Sequence, residues 1–191
     1  MKKNHKLVLG IITIVIFSSI IACSSGSGGS GDESTVSLEK GESINLGSVT
    51  VGSAGSLITV DDPESLLNGM EIEIPRDAYP EAVQLTVSYS PILNFSGNEN
   101  LDPVSPLIKI ENGCGYSEEI IAVKIPVRIE EGYHYMAFYY DDATGSLEGI
   151  PGITHDASSL TLATRHFSNF FVNRISNDLF FSSFVSNLSK T

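Results

Sequence analysis

Over most of its length this chain places an apolar residue at every second position, in short runs cut off by Gly, Pro, Asn or Asp. Side chains of an extended strand alternate between two faces, so a period of two marks strands with one face in a core. The runs are Val49-Thr50-Val51, Leu57 to Val60, Met70 to Ile74, Val83 to Tyr89, Leu107 to Ile110, Ile121 to Ile125, Tyr133 to Tyr140, Leu160 to Leu162 and Phe170 to Val172. About nine strands at this spacing predict an all-β domain, an antiparallel β-sandwich in which each sheet gives one face to the core. A closed barrel satisfies the same pattern. Turn residues fill the gaps at Asn68-Gly69, Asp141 to Gly145 and Pro151-Gly152. Pro75, Pro80, Pro91, Pro103, Pro106 and Pro126 abut strand ends, where a ladder can lose a donor.

Of the 191 residues 41% are hydrophobic and 18% charged, which is enough apolar surface to build a core. The formal net charge of −12 disfavours nucleic acid as a partner, and an anionic bilayer surface likewise, because both recognise clustered Lys and Arg, so no nucleic-acid partner is expected. Glycine-rich phosphate loops, Gly-x-Ser-x-Gly elbows, His-Glu-x-x-His and Cys-x-x-Cys spacings are absent from the sequence. No cofactor, no metal and no multiple-turnover enzyme is implied.

The N-terminus speaks for location. Lys2, Lys3 and Lys6 precede an apolar run from Leu7 to Phe17, then Ser18 to Ala22 leads to Cys23. This is the plan of an export signal, with an apolar part short of the roughly 20 residues of a membrane span. Ala22-Cys23 resembles the lipobox of bacterial lipoproteins, which implies cleavage before Cys23 and acylation of that cysteine, palmitate included. A simple secretory signal or an uncleaved anchor is the other reading, and each puts the body outside the cytoplasm. The run Ser24 to Gly31 has no side chains to pack and reads as a tether. Ser24, rather than Asp, after the cysteine favours the outer membrane in a Gram-negative cell. Cleavage leaves 8 basic residues against 23 acidic ones, a formal −15. The domain plan is therefore a signal peptide at 1–22, a lipidated cysteine and tether at 23–42, a sandwich at 43–172 and a C-terminal piece at 173–191.

In that last piece Phe181, Phe184, Val185 and Leu188 form an i, i+3, i+4, i+7 stripe opened by Asn177 or Asp178, the pattern of a short amphipathic helix. Its polar face is Ser and Asn, which suits packing on the sandwich better than contact with a membrane or partner. Cys114, in Asn112-Gly113-Cys114-Gly115, has no partner cysteine once Cys23 is acylated, and reads as a small hydrophobe or as a reactive thiol. Asp61-Asp62, Asp141-Asp142 and Glu130-Glu131 lack the spaced ladder of a calcium loop and read as solvated turns. His134, His155 and His166 sit on separate elements without metal-ligand spacing. Tyr133, Tyr135 and Tyr139 share one strand face, as a sugar-binding platform or as core and edge packing.

Three segments, Met70 to Pro80, Ala122 to Val127 and Arg165 to Phe170, together resemble the "ZU-five" domain of ankyrins, netrin receptors and death-domain scaffolds, found also in bacterial surface proteins. That family has an Ile-Pro-x-Gly-Ala corner, a later strand with a Pro-Val stretch, and a last strand opened by His-Phe-Ser. Here Asp77 stands in place of the Gly and Tyr79 in place of a Leu, and Ser53-Ala54-Gly55 replaces an early Gly-Gly turn. The resemblance spans about residues 45–172 and implies a β-sandwich. It also implies a candidate activity, because some members cut their own chain between the Phe and Ser of His-Phe-Ser. Ser168 Oγ would attack the Phe167 carbonyl, turning the amide into an ester for water to hydrolyse, with His166 taking the hydroxyl proton. Period two puts His166 and Ser168 on one face of a strand, but two residues of strand span about 6.6 Å while a hydrogen bond needs about 3 Å, so scission requires a kink at this peptide. The structural alternative leaves Phe167 in the core and His166 bonded to a loop. The function expected overall is a membrane-anchored interaction or structural module with a protein or glycan partner at the surface; self-processing at Phe167-Ser168 and carbohydrate binding are the alternatives.

Overall fold

A computed structural model describes residues 35–113 and 115–177. The signal segment, Cys23, the Gly/Ser run, Cys114 and the stripe from Phe181 to Leu188 lie outside the described residues. Fourteen strands make up the regular structure, in the order β1 Ser37–Lys40, β2 Ile44–Val51, β3 Ser56–Thr59, β4 Glu71–Ile74, β5 Val83–Ser90, β6 Ile92–Ser96, β7 Asp102–Pro103 and β8 Leu107–Glu111. There follow β9 Ile121–Pro126, β10 Tyr133–Tyr140, β11 Leu147–Gly149, β12 Thr154–His155, β13 Ser159–Thr164 and β14 Asn169–Ser176. Every strand pair is antiparallel.

Two sheets face each other as a sandwich. One runs β11-β10-β14-β8-β5-β2, with β7 also on β14, and the other runs β12-β13-β9-β4-β3. Alternation fills the space between them: Leu85, Val87, Ile108, Ile110, Ala137, Phe170 and Val172 from the first meet Ile72, Ile74, Val123, Ile125, Leu160 and Leu162 from the second, in one buried cluster. A ribbon of β1 and β6 lies over the opposite face of the first sheet, and a second cluster of Val36, Leu38, Leu107, Tyr140 and Phe171 is buried there. Consecutive apolar residues at Phe170-Phe171-Val172 are thereby explained, since β14 is covered on both faces.

The expected all-β antiparallel sandwich stands, with three differences. Among the described residues the strand count exceeds the expected nine by β1, β6, β7, β11 and β12, short strands of two to five residues that the apolar runs did not mark. Its boundary also moves: β1, with Val36 and Leu38 in the second cluster, falls inside the span assigned to the tether. Strand β14 continues through the expected helical boundary at 173 as far as Ser176, held by Arg174, whose guanidinium meets Asp102 at 2.7 Å and Glu130 at 2.8 Å.

One break in the ladder is repaired by a side chain. Pro103 and Pro106 interrupt what would be a single strand beside β14, separating β7 from β8. In the gap the Val172 N–H donates to Ser105 Oγ at 2.8 Å, and that hydroxyl donates to the Pro106 carbonyl at 2.9 Å. The turn before β13 is built similarly, with the Asp156 carboxylate accepting the N–H groups of Ser158 and Ser159 at 2.7 and 2.8 Å and both hydroxyls.

Two outcomes follow from this packing. Phe171→Ala, emptying a fully buried site between sheet and ribbon, should lower unfolding stability by about 3–5 kcal/mol in denaturant titration. The amides donated to Asp156 hold its carboxyl at about 2, below the ordinary 3.8. A depressed acid stabilises the fold above its unfolded value and loses that contribution as pH falls through the folded value. Stability should decline between about pH 4 and 2, and Asp156→Asn should flatten that part of the profile.

Candidate functional site

At one end of the sandwich, β13 stops at Thr164 and β14 starts at Asn169, leaving Arg165 to Ser168 as a bend. Thr164 shapes it: its Oγ1 accepts the His166 N–H at 3.1 Å and donates to the His166 carbonyl at 2.6 Å. Tyr139, from the inner face of β10, places its hydroxyl 2.5 Å from the same Thr164 Oγ1 and 3.2 Å from the His166 carbonyl. Burial pushes the Tyr139 hydroxyl above its usual pKa, so it stays a protonated donor. The His166 ring stacks on Tyr139 at 4.5 Å, with Tyr116 tilted against it at 5.2 Å.

Asn112 and the segment from Gly115 to Ile120 tie this bend to the corner that follows β4. Ser117 donates its N–H to the Arg165 carbonyl at 2.7 Å, and Glu118 donates its own to the Ala78 carbonyl at 2.9 Å. Asn112 Nδ2 reaches the Tyr79 hydroxyl at 3.0 Å and the Gly115 carbonyl at 2.9 Å. Asp77 has φ +62°, the left-handed conformation that Asp tolerates and Gly favours. Its N–H bonds the Ser53 carbonyl at 2.8 Å, and a Cβ on Gly55 would lie 2.5 Å from the Ile74 carbonyl oxygen. Only glycine fits there. The corner, the strand Ala122 to Val127 and the bend are thus spatial neighbours, because β9 pairs with β4 on one side and β13 on the other.

Between β11 and the end of β13 a cleft of about 430 Å³ opens, lined by Ile120, Tyr139, Glu148, Ile150, Ala163 and His166 among others. Tyr116 is 74% exposed and Ile120 58%. The chain also enters the domain at this end. The Val36 N–H bonds the Gly145 carbonyl at 2.8 Å, and Asp142 of the same turn accepts Lys40 at 2.6 Å and Asn169 at 2.9 Å.

The predicted site residues are placed as follows. His166 and Ser168 lie in the bend, not on one face of a strand as expected, because Thr164 turns the chain two residues before the ladder resumes. Phe167 packs partly buried against the core. Ser168 is exposed and its carbonyl accepts the Ile110 N–H at 3.5 Å. Among the described residues no hydrogen bond joins His166 to Ser168, and Asp77 is the non-glycine residue with a left-handed φ, so no such strain marks the Phe167-Ser168 link. Tyr135 is 9% exposed, with its hydroxyl accepting the Glu130 N–H and donating to the Arg128 carbonyl, so the tyrosine row is not an open platform. Tyr133 lies under the Arg174 guanidinium at 4.8 Å. Asp62 and Asp141 each accept a turn N–H, at 3.0 and 2.8 Å, and Glu130 pairs with Arg174. His134, His155 and His166 stay on separate elements, and among the described residues no three His, Cys, Asp or Glu side chains come together as a metal site.

The cleft residues Ile120 and Glu148, and Tyr116 against the His166 ring, went unread in sequence because distant segments bring them together. One signal was available: an aromatic and an isoleucine flanking Ser117-Glu118-Glu119 in a loop, where water should favour polar residues. No protein-family model matches this chain, and no curated protein matches it in sequence.

Removing the Tyr79 hydroxyl in Tyr79→Phe takes a partner from the buried Asn112 amide, and should cost about 1–3 kcal/mol of stability, read by denaturant titration. Intact-mass spectrometry of residues 24–191 under denaturing conditions should return one uncut mass. Fragments 24–167 and 168–191 would contradict the geometry of the bend.

Proposed function

We propose that this chain is a lipid-anchored, extracytoplasmic lipoprotein whose ZU-five-like β-sandwich acts as an interaction module of the cell envelope. The observation that carries this reading is the position of the cleft: it opens at the end where Val36 enters the domain beside Gly145. With Cys23 acylated, residues 24–34 reach at most about 40 Å when fully extended. The cleft end is then within reach of a neighbouring envelope component. Ser24 after the lipidated cysteine favours the outer membrane in a Gram-negative cell.

Protein is preferred to glycan as the partner. A sugar platform needs a flat, open aromatic face beside polar groups, whereas Tyr135 is in the core and the cleft is lined by Ile120, Ile150 and Ala163. The formal −12 leaves nucleic acid without an electrostatic footprint.

Cys23→Ser tests the anchor in the cell that makes the protein. The variant should leave the membrane fraction and lose incorporation of labelled palmitate. A Cys23→Ser protein that still sediments with membranes contradicts the reading.

A further inference from the structure

The outer face of β14 changes character after Phe171. That side chain points away from the core between the sheets and is buried under the β1-β6 ribbon, and alternation puts Asn173 and Ile175 on the same outer face. In register, Met136 of β10 stands opposite Asn173 on one side and Pro103 of β7 on the other. The cluster under the ribbon reaches Phe171 and Phe138, whereas neither Met136 nor Ile175 belongs to either buried cluster. Yet Asn173 is 0% exposed, and among the described residues neither its Nδ2 nor its Oδ1 has a hydrogen-bonding partner. A buried amide left unpaired costs stability, so this face calls for a cover with both apolar and polar groups.

The chain itself continues from that place. Strand β14 ends at Ser176, the Asn177 N–H donates to the Gly132 carbonyl at 3.0 Å, and the backbone at Asn177 is already helical, so the chain turns out of the sheet there. Four residues later begins the stripe of Phe181, Phe184, Val185 and Leu188. As a helix that stripe is about 10 Å long, the width of the three neighbouring strands β7, β14 and β10 at about 4.8 Å spacing. No charged residue lies between Leu179 and Ser189, and Pro103, Met136, Asn173 and Ile175 are uncharged too, in a chain with 23 acids. The cleft near His166 lies at the opposite end of β14, eight strand residues or about 23 Å away, so a segment that starts at Asp178 meets the outer face first. We propose that residues 178–191 turn back onto the outer face of the first sheet beside the ribbon, seating the apolar stripe on Met136, Ile175 and Pro103 and offering a Ser or Asn side chain to the Asn173 amide. This docking closes the face to other partners, leaves the cleft end open, and is independent of the lipid at Cys23.

The test uses residues 24–191, which keep both buried clusters because their described members lie between Val36 and Val172. Hydrogen peroxide oxidises accessible methionine sulfur, and Met70, 0% exposed, serves as the internal standard for an intact core. Phe181→Ser combined with Phe184→Ser in this chain should raise the oxidation rate of Met136 about tenfold and leave Met70 unchanged, as read by peptide mapping. Unchanged rates at both methionines would overturn the proposal. If both rates rise, the variant has lost its fold and the wild-type protein decides: nuclear Overhauser contacts should join the Met136 and Ile175 methyls to the Phe181 and Phe184 rings of the same chain. Contacts of those rings with Ile120 of the cleft or with Leu93 instead, or contacts made only between labelled and unlabelled copies in a mixed sample, would equally overturn it.

Discussion

Strand β14 has to be buried on both faces, and most of the architecture answers that requirement. Phe170 and Val172 point into the space between the sheets while Phe171 points the other way, and all three are inaccessible to water. A strand covered on both sides cannot leave backbone groups without partners. β10 pairs along nearly its whole length, and β8, β7 and Ser105 divide the other edge among them. The second cover is the β1-β6 ribbon, which brings the N-terminal segment across the sheet. Val36 is then fixed beside Gly145, where an added Cβ would lie 2.4 Å from the Val36 oxygen. The burial of one phenylalanine thus sets where the N-terminal strand meets the domain.

The same logic builds the cleft. A bend between two buried strands must satisfy its own polar groups, and Thr164, Tyr139 and Ser117 do so for Arg165 and His166. Two residues of the corner after β4 find a use at this end. Asp77 takes a left-handed conformation, and the Tyr79 hydroxyl holds Asn112 and with it the loop that carries Tyr116 and Ile120. What remains open is largely apolar surface, arranged by residues from β10, β11, β13 and the loop that ends at Ile120.

How much of this was legible in the sequence depends on the range of the interaction. Alternation within a run reports local burial, so β5, β9, β10 and β13 were readable from Val83 to Tyr89, Ile121 to Ile125, Tyr133 to Tyr140 and Leu160 to Leu162. β7 and β12, with two residues each, carry no periodicity and exist because a neighbour offers them partners. The strand end at Ser176 is set by Arg174 meeting Asp102 and Glu130, contacts far apart in sequence. His166 and Ser168 looked like same-face strand residues because period two was extended through Thr164, whose turn-forming hydroxyl bonds are invisible without its partner Tyr139. Tyr135 and Tyr139 share a face as expected, but the pattern does not say that this face looks inward.

The central claim is that the loop segment from Gly115 to Ile120 is part of the folded end and presents a preformed cleft. Hydrogen exchange of individual amides tests it most directly, because the Ser117 and Glu118 N–H groups bond only to the bend and the corner, at Arg165 and Ala78. The account predicts slow exchange at both, alongside Val172 in β14. Exchange at Ser117 and Glu118 as fast as at the exposed Glu99, with Val172 still protected, would contradict it.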